Sequence, residues 1–205
     1  YINRDYGNVR GFIVTLEKRF ADYFGAKLDY TYQIAEGNAS DPMSVYNNNQ
    51  SDPPVESNKT VVPLNWDQRH TLNLSVNIGV PGDWTAGFIF SYGSGLPYTE
   101  SIRVSKGVQF ENGGRMPATY NVDFRADKAF EIGPLHLSAF VLVYNLLDIK
   151  NEVSVNNASG RANVDLYTDE AGTIFGLNTI KQYLNNPSSF SAPRQVRLGV
   201  SLGLY

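Results

Sequence analysis

Pro193-Arg194-Gln195-Val196-Arg197-Leu198-Gly199-Val200-Ser201-Leu202-Gly203-Leu204-Tyr205 closes the chain. Val196, Leu198, Val200, Leu202 and Leu204 share one phase, and Gln195, Arg197, Gly199, Ser201 and Gly203 the other. Successive side chains of a strand point to opposite sides of a sheet, so this alternation describes a strand with one apolar and one polar face. The final residues of a soluble domain usually fray and stay polar. An apolar ladder at this position therefore requires a cover, either a second protein layer or lipid.

Working outward, the same period recurs to give about seven strands. Between Asn8 and Phe20, Phe12, Val14, Leu16 and Phe20 alternate with Gly11, Thr15, Glu17 and Arg19. After Ala21-Asp22 the pattern resumes at Phe24, Ala26, Leu28, Tyr30, Tyr32 and Ile34, which predicts a tightly turned hairpin. Trp66, His70, Leu72, Leu74, Val76, Ile78 and Val80 lead into the turn Pro81-Gly82-Asp83, and Trp84, Ala86, Phe88, Phe90 and Tyr92 lead back. Tyr120, Val122, Phe124, Ala126 and Phe130 reach a turn at Ile132-Gly133-Pro134. In the strand over 135–145, Leu135, Leu137, Ala139, Val141 and Val143 share a face, but Phe140 and Leu142 are apolar in the other phase, so alternation alone leaves its facing open. The links between are aperiodic and rich in Asn, Ser, Asp and Pro: Glu36 to Pro63, Gly93 to Ala118, and Leu147 to Ala192, the last with a short helix expected at Asn178 to Asn185. Short and long links thus alternate, as in outer-membrane barrels with short periplasmic turns and long extracellular loops.

Composition narrows the function classes. A net charge of -3 and a pI near 5.4, with Lys and Arg scattered, offer no basic field for nucleic acid. No run approaches the roughly 18 apolar residues of a membrane helix. Without Cys, and with His70 and His136 too far apart for ligand spacing, neither a metal nor another cofactor is implied. Both histidines are read on or near the outward phase toward strand ends, where neither joins a lumenal triad, and catalysis is not expected. The row Asp123, Arg125, Asp127, together with Lys27, Asp29, Arg69 and Arg197, reads as ion-pair ladders along a wet interior.

Lipid as the cover makes two demands. Charges should leave the middle of the apolar face, and Arg10, Lys18 and Lys128, its charged positions, all lie near strand ends where they can snorkel. Aromatics should gather at two heights. Phe20, Phe24, Trp84, Phe130 and Tyr205 fall on the short-turn side, and Tyr32, Trp66, Tyr92 and Tyr120 on the long-loop side. A soluble β-sandwich would instead place the same face against a protein core, but with the shorter strands usual in globular sheets. The expected fold is all-β, an antiparallel transmembrane β-barrel segment. Its odd strand count implies further strands before Tyr1, and an opening without Met, basic n-region or apolar h-region reads as that of a mature segment or fragment.

Four stretches carry a family likeness: Asn65-Trp66-Asp67-Gln68-Arg69-His70-Thr71-Leu72, Tyr92-Gly93-Ser94-Gly95-Leu96-Pro97-Tyr98-Thr99, Tyr144-Asn145-Leu146-Leu147-Asp148, and Pro193-Arg194. Together and in this order they resemble the C-terminal barrel of the TonB-dependent outer-membrane receptors. The resemblance implies about a third of a roughly 22-stranded barrel. It also implies import of a scarce nutrient, such as siderophore-bound iron, a vitamin or a glycan. The implied partners are outer-membrane lipid and an energy-coupling complex of the TonB type, acting through a plug domain absent from this sequence. Arg197, Gly199, Leu202 and Leu204 resemble the terminal signal read by the barrel-assembly machinery, with Tyr205 left over. Recognition belongs on loops held by a rigid scaffold, where Tyr46, Tyr98, Arg103, Arg115, Tyr167 and Phe175 can stack on or pair with a ligand, or pack the loops on themselves. The competing expectation is a barrel that transports nothing and holds a surface lipoprotein, another envelope protein or a surface polymer through those loops.

Overall fold

A computed structural model describes residues 6–38, 43, 46, 50, 52, 60–101, 111–133, 135–166, 182 and 184–204. Ten strands are named in chain order: β1 Gly7–Ala21, β2 Phe24–Gly37, β3 Val62–Pro63, β4 His70–Val80, β5 Trp84–Gly93, β6 Pro97–Tyr98, β7 Gly114–Arg115, β8 Thr119–Ile132, β9 Leu135–Tyr144 and β10 Gln195–Leu204. The long ones form an antiparallel meander in the order β1-β2-β4-β5-β8-β9-β10, with β3 paired to β2 and β6 paired to β7. No described helix is long and apolar enough to cross a membrane.

Register carries the alternation of each strand across the sheet. Leu16, Leu28, Leu74, Phe90 and Val122 form one continuous row, and Val76, Phe88, Phe124, Val143 and Val196 another. On the opposite face run Thr15, Asp29, Asn73, Ser91 and Asn121. The facing of β9 follows from the same pairing: Val141 and Val143 join the apolar rows, while Phe140 and Leu142 stand on the polar face beside Asp127 and Arg125. The apolar face is most open on the outer strands, where Leu16 is 61% exposed, Leu198 78% and Val200 68%, and half-buried on the inner ones, with Val143 buried. Among the described residues the long strands belong to one sheet and pack against their hydrogen-bonded neighbours, with no second long-stranded sheet facing them as in a sandwich.

The short links follow from backbone chemistry. Asp22 and Tyr23 hold φ of 52° and 67°, the two positive values of a type I′ hairpin turn whose twist matches its strands. At Pro81-Gly82 the Asp83 N–H donates to the Val80 carbonyl at 3.0 Å and Gly82 has φ 86°, as a type II turn with Pro first and Gly second requires. The cations of the apolar face reach toward strand ends. The Lys18 ammonium donates to the Ala21 and Phe24 carbonyls at 3.1 and 3.0 Å, Lys128 pairs with Asp83, and Arg10 lies 3.7 Å from Glu36.

Several expectations are corrected. Trp66 does not enter a strand: Asp67 N–H bonds back to the Leu64 carbonyl at 2.8 Å, so the chain turns before β4 begins at His70. His136 is not on the outward phase, because pairing sets it opposite Glu131 and Gly203 on the polar face. The loops expected to lack strands contain β3, β6 and β7. Most of the helix expected at 178–185, and Tyr205, lie outside the described residues.

Candidate functional site

Three hydrogen-bonded knots hold the long-loop side of the sheet. The first centres on Asp67, whose side chain is fully buried. Its Oδ1 accepts the Ala35 N–H at 2.7 Å, and its Oδ2 accepts Arg69 Nε at 2.9 Å and a second bond from Arg115 Nη2. Arg115 Nη1 also donates to the carbonyls of Asp67 and Gly95, at 2.6 and 3.2 Å. Burial pushes the Asp67 carboxyl upward, but the Ala35 amide and the two guanidiniums outweigh it and hold the group below its ordinary value. One buried carboxylate thereby joins β2, the approach to β4, and β7. Asn112 adds to this knot by donating to the Pro63 carbonyl at 2.7 Å and to Asn65 Oδ1 at 2.8 Å.

The second knot is Asn145, buried at the end of β9 with φ 51°. Its N–H donates to Asp123 Oδ1 at 2.8 Å, and its side-chain amide donates to the Ile149 and Ala192 carbonyls, both at 3.0 Å. In return its Oδ1 accepts the Ile149 N–H at 2.9 Å. Asp148 then accepts the Arg194 N–H at 2.9 Å, tying the turn to the entry of β10. The third knot is Glu152, which accepts Arg161 Nε at 2.9 Å, Arg161 Nη2 at 2.6 Å and the Ala162 N–H at 2.6 Å. Burial opposes ionisation of Glu152, and the Arg161 and Ala162 donors more than offset it.

Of the expected ligand-contacting residues, Arg115 is engaged in the Asp67 knot. Tyr98 sits beside it on the β6-β7 ladder, its ring against Gly114 and Gly160, where an added Cβ would collide with it. Burial, and next the charge of Glu100, push the Tyr98 phenol above its ordinary value. Tyr46 is exposed, and Arg103, Tyr167 and Phe175 lie outside the described residues. Asn112 and Glu152 were not singled out from sequence. Each is an ordinary polar residue within an aperiodic stretch, and only its distant partners mark it.

On the polar face Lys27 pairs with Asp29 at 3.0 Å and Arg125 with Asp127 at 2.7 Å, each two residues along its own strand rather than in a ladder across the sheet. Arg197 departs from them and stacks on the Tyr144 ring, 5.0 Å from its centroid. Below the Asn145 knot a groove of about 390 Å³ opens on this face between Asn121, Asp123, Tyr144, Gln195 and Arg197. A second, of about 230 Å³, shares Asn121 and Asn151 with it and extends to Gln68 and Thr71. Among the described residues no cluster of three or more His, Asp or Glu side chains has the arrangement of a metal site. No family model, no curated protein and no solved structure matches the chain.

Proposed function

We propose that the chain is the C-terminal barrel portion of an outer-membrane transport receptor of the TonB-dependent kind, which imports a scarce nutrient with its plug and energy-coupling complex. The observation that carries the membrane part of this reading is the apolar face, continuous in register across the long strands and open to solvent along β1 and β10. An exposed apolar surface of this extent needs a partner, and lipid accepts one that is uniform, laterally continuous and free of charge at mid-height. Along β5, Tyr92 and Trp84 mark the two aromatic levels. Their eight-residue separation is about 27 Å of strand, or roughly 21 Å of height at a tilt near 40°. That approaches the apolar band of about 25 Å typical of such barrels. Transport, rather than mere anchorage, is supported by the polar face with its ion pairs and grooves, and by the four family-like stretches.

Fractionation of cells making the full-length protein tests the membrane part. The expected result is recovery in the outer membrane with heat-modifiable gel migration. Solubility without detergent would sink it. For the receptor part, the precursor is expected to encode a plug and coupling box ahead of Tyr1. A precursor whose signal peptide leads directly into Tyr1 would leave the non-transporting barrel as the better reading.

A further inference from the structure

Arg69, Arg115, Arg125 and Arg161 are each committed to a protein carboxylate. Arg197 is different: among the described residues its guanidinium meets the face of Tyr144 and no carboxylate. Stacking fixes the plane of a guanidinium without using its N–H groups, which stay available along the edge for bidentate pairing. Arg197 is also a lining residue of the 390 Å³ groove, whose volume is within the usual range of small-ligand sites. Across the groove stands Asp123, whose Oδ1 is taken by Asn121 Nδ2 and the Asn145 N–H, both at 2.8 Å. Its Oδ2 accepts no hydrogen bond from a described residue, and Gln195 adds an amide to the lining.

We propose that this groove is a binding subsite for a hydroxycarboxylate, of the class of acidic sugars, with the carboxylate on Arg197 and neighbouring hydroxyls on Asp123 Oδ2 and Gln195. The two charges select that class. A carboxylate lacking hydroxyls meets the repulsion of Asp123 without compensation, and a neutral sugar leaves Arg197 without its ion-pair partner. The proposal deepens the transport reading, on which onward passage of the ligand rests, whereas binding itself is read without energy coupling.

Calorimetric titration of the full-length protein in detergent with glucuronate and with glucose tests it. Glucuronate is expected to bind at least tenfold more tightly. Arg197→Gln should abolish that preference, Arg197→Lys should recover only part of it because an ammonium cannot pair bidentately, and Tyr144→Leu should weaken it while Tyr144→Phe retains it. Heat-modifiable migration shows that each variant has assembled, and Tyr144→Leu with Gln195→Ala carries the test if the Arg197 variants do not. Equal binding of the two sugars, or glucuronate binding unchanged in Arg197→Gln, overturns the proposal. So does absence of binding coupled to a lowered unfolding midpoint in Arg197→Gln, which would mean that a protein segment holds the guanidinium. Binding that persists without energy-dependent uptake would remove the transport reading and leave the subsite standing.

Discussion

At the scale of the residue, Asp67 combines full burial with full charge. Such a group is tolerable only because three donors converge on its carboxylate, and removing it strands two guanidiniums that are about two-thirds buried. Asp67→Ala is expected to cost about 3–5 kcal/mol in the packing of the loop side, seen as rapid proteolysis near 111–118 while the β-sheet circular dichroism persists. The pH dependence follows from the lowered carboxyl: its stabilisation is complete above the unfolded value of about 4 and is lost as pH falls through the depressed folded value. Protease sensitivity of the loops should therefore rise only under strong acid, and a rise already near pH 6 would sink this account. Asn145→Ala should lower the urea midpoint by more than Asn145→Gly: both lose the side-chain bonds, but glycine accepts φ 51° and alanine resists it. These roles were only half legible. Asp67 and Asn145 stand in stretches that carry the family likeness, but their chemistry depends on partners up to 48 residues away, as with Arg115, and local pattern does not report such pairing.

At the scale of the element, strands were readable because their signal is local and repeated. The alternation of Leu72, Leu74, Val76 and Ile78 with Thr71, Asn73, Ser75 and Asn77 defines β4 without knowledge of any other strand. β3, β6 and β7 span two residues each, a single repeat that no alternation can reveal, and are set by the Asp67 and Asn112 bonds. The β1-β2 turn shows what the period leaves unstated. Both of its residues are left-handed, and neither is glycine. An L-residue there costs about 1–2 kcal/mol. Tyr23→Gly should therefore stabilise the hairpin by about 1 kcal/mol, part of the gain being lost to the greater freedom of glycine in the unfolded chain. Urea unfolding of the assembled protein measures it. A lower midpoint would mean that the Tyr23 ring contributes more than its backbone costs.

For the whole molecule, everything turns on what meets the apolar face. Val76 lies in the row with Phe88, Phe124 and Val143, midway between the levels of Trp84 and Tyr92, and Asn77 is its neighbour on the polar face. The two positions share a strand, a height and nearly the same backbone environment. In a lipid-facing sheet Val76→Arg should cost about 2–4 kcal/mol, while Asn77→Arg, turned toward a wet interior beside Gly25 and Gly87, should cost under about 1 kcal/mol. Reversible unfolding from lipid vesicles measures both. The expected asymmetry depends on depth as well as on face: an Arg at position 84, level with the headgroups, should cost little more than the loss of the Trp ring itself. A protein layer over the same face would penalise Arg at 76 and at 84 alike, because a packed core has no headgroup level to which a long cation can escape. With the ring loss measured in Trp84→Ala subtracted, equal penalties for Val76→Arg and Trp84→Arg would therefore exclude lipid as the cover, and a residual penalty confined to Val76→Arg would exclude a protein layer.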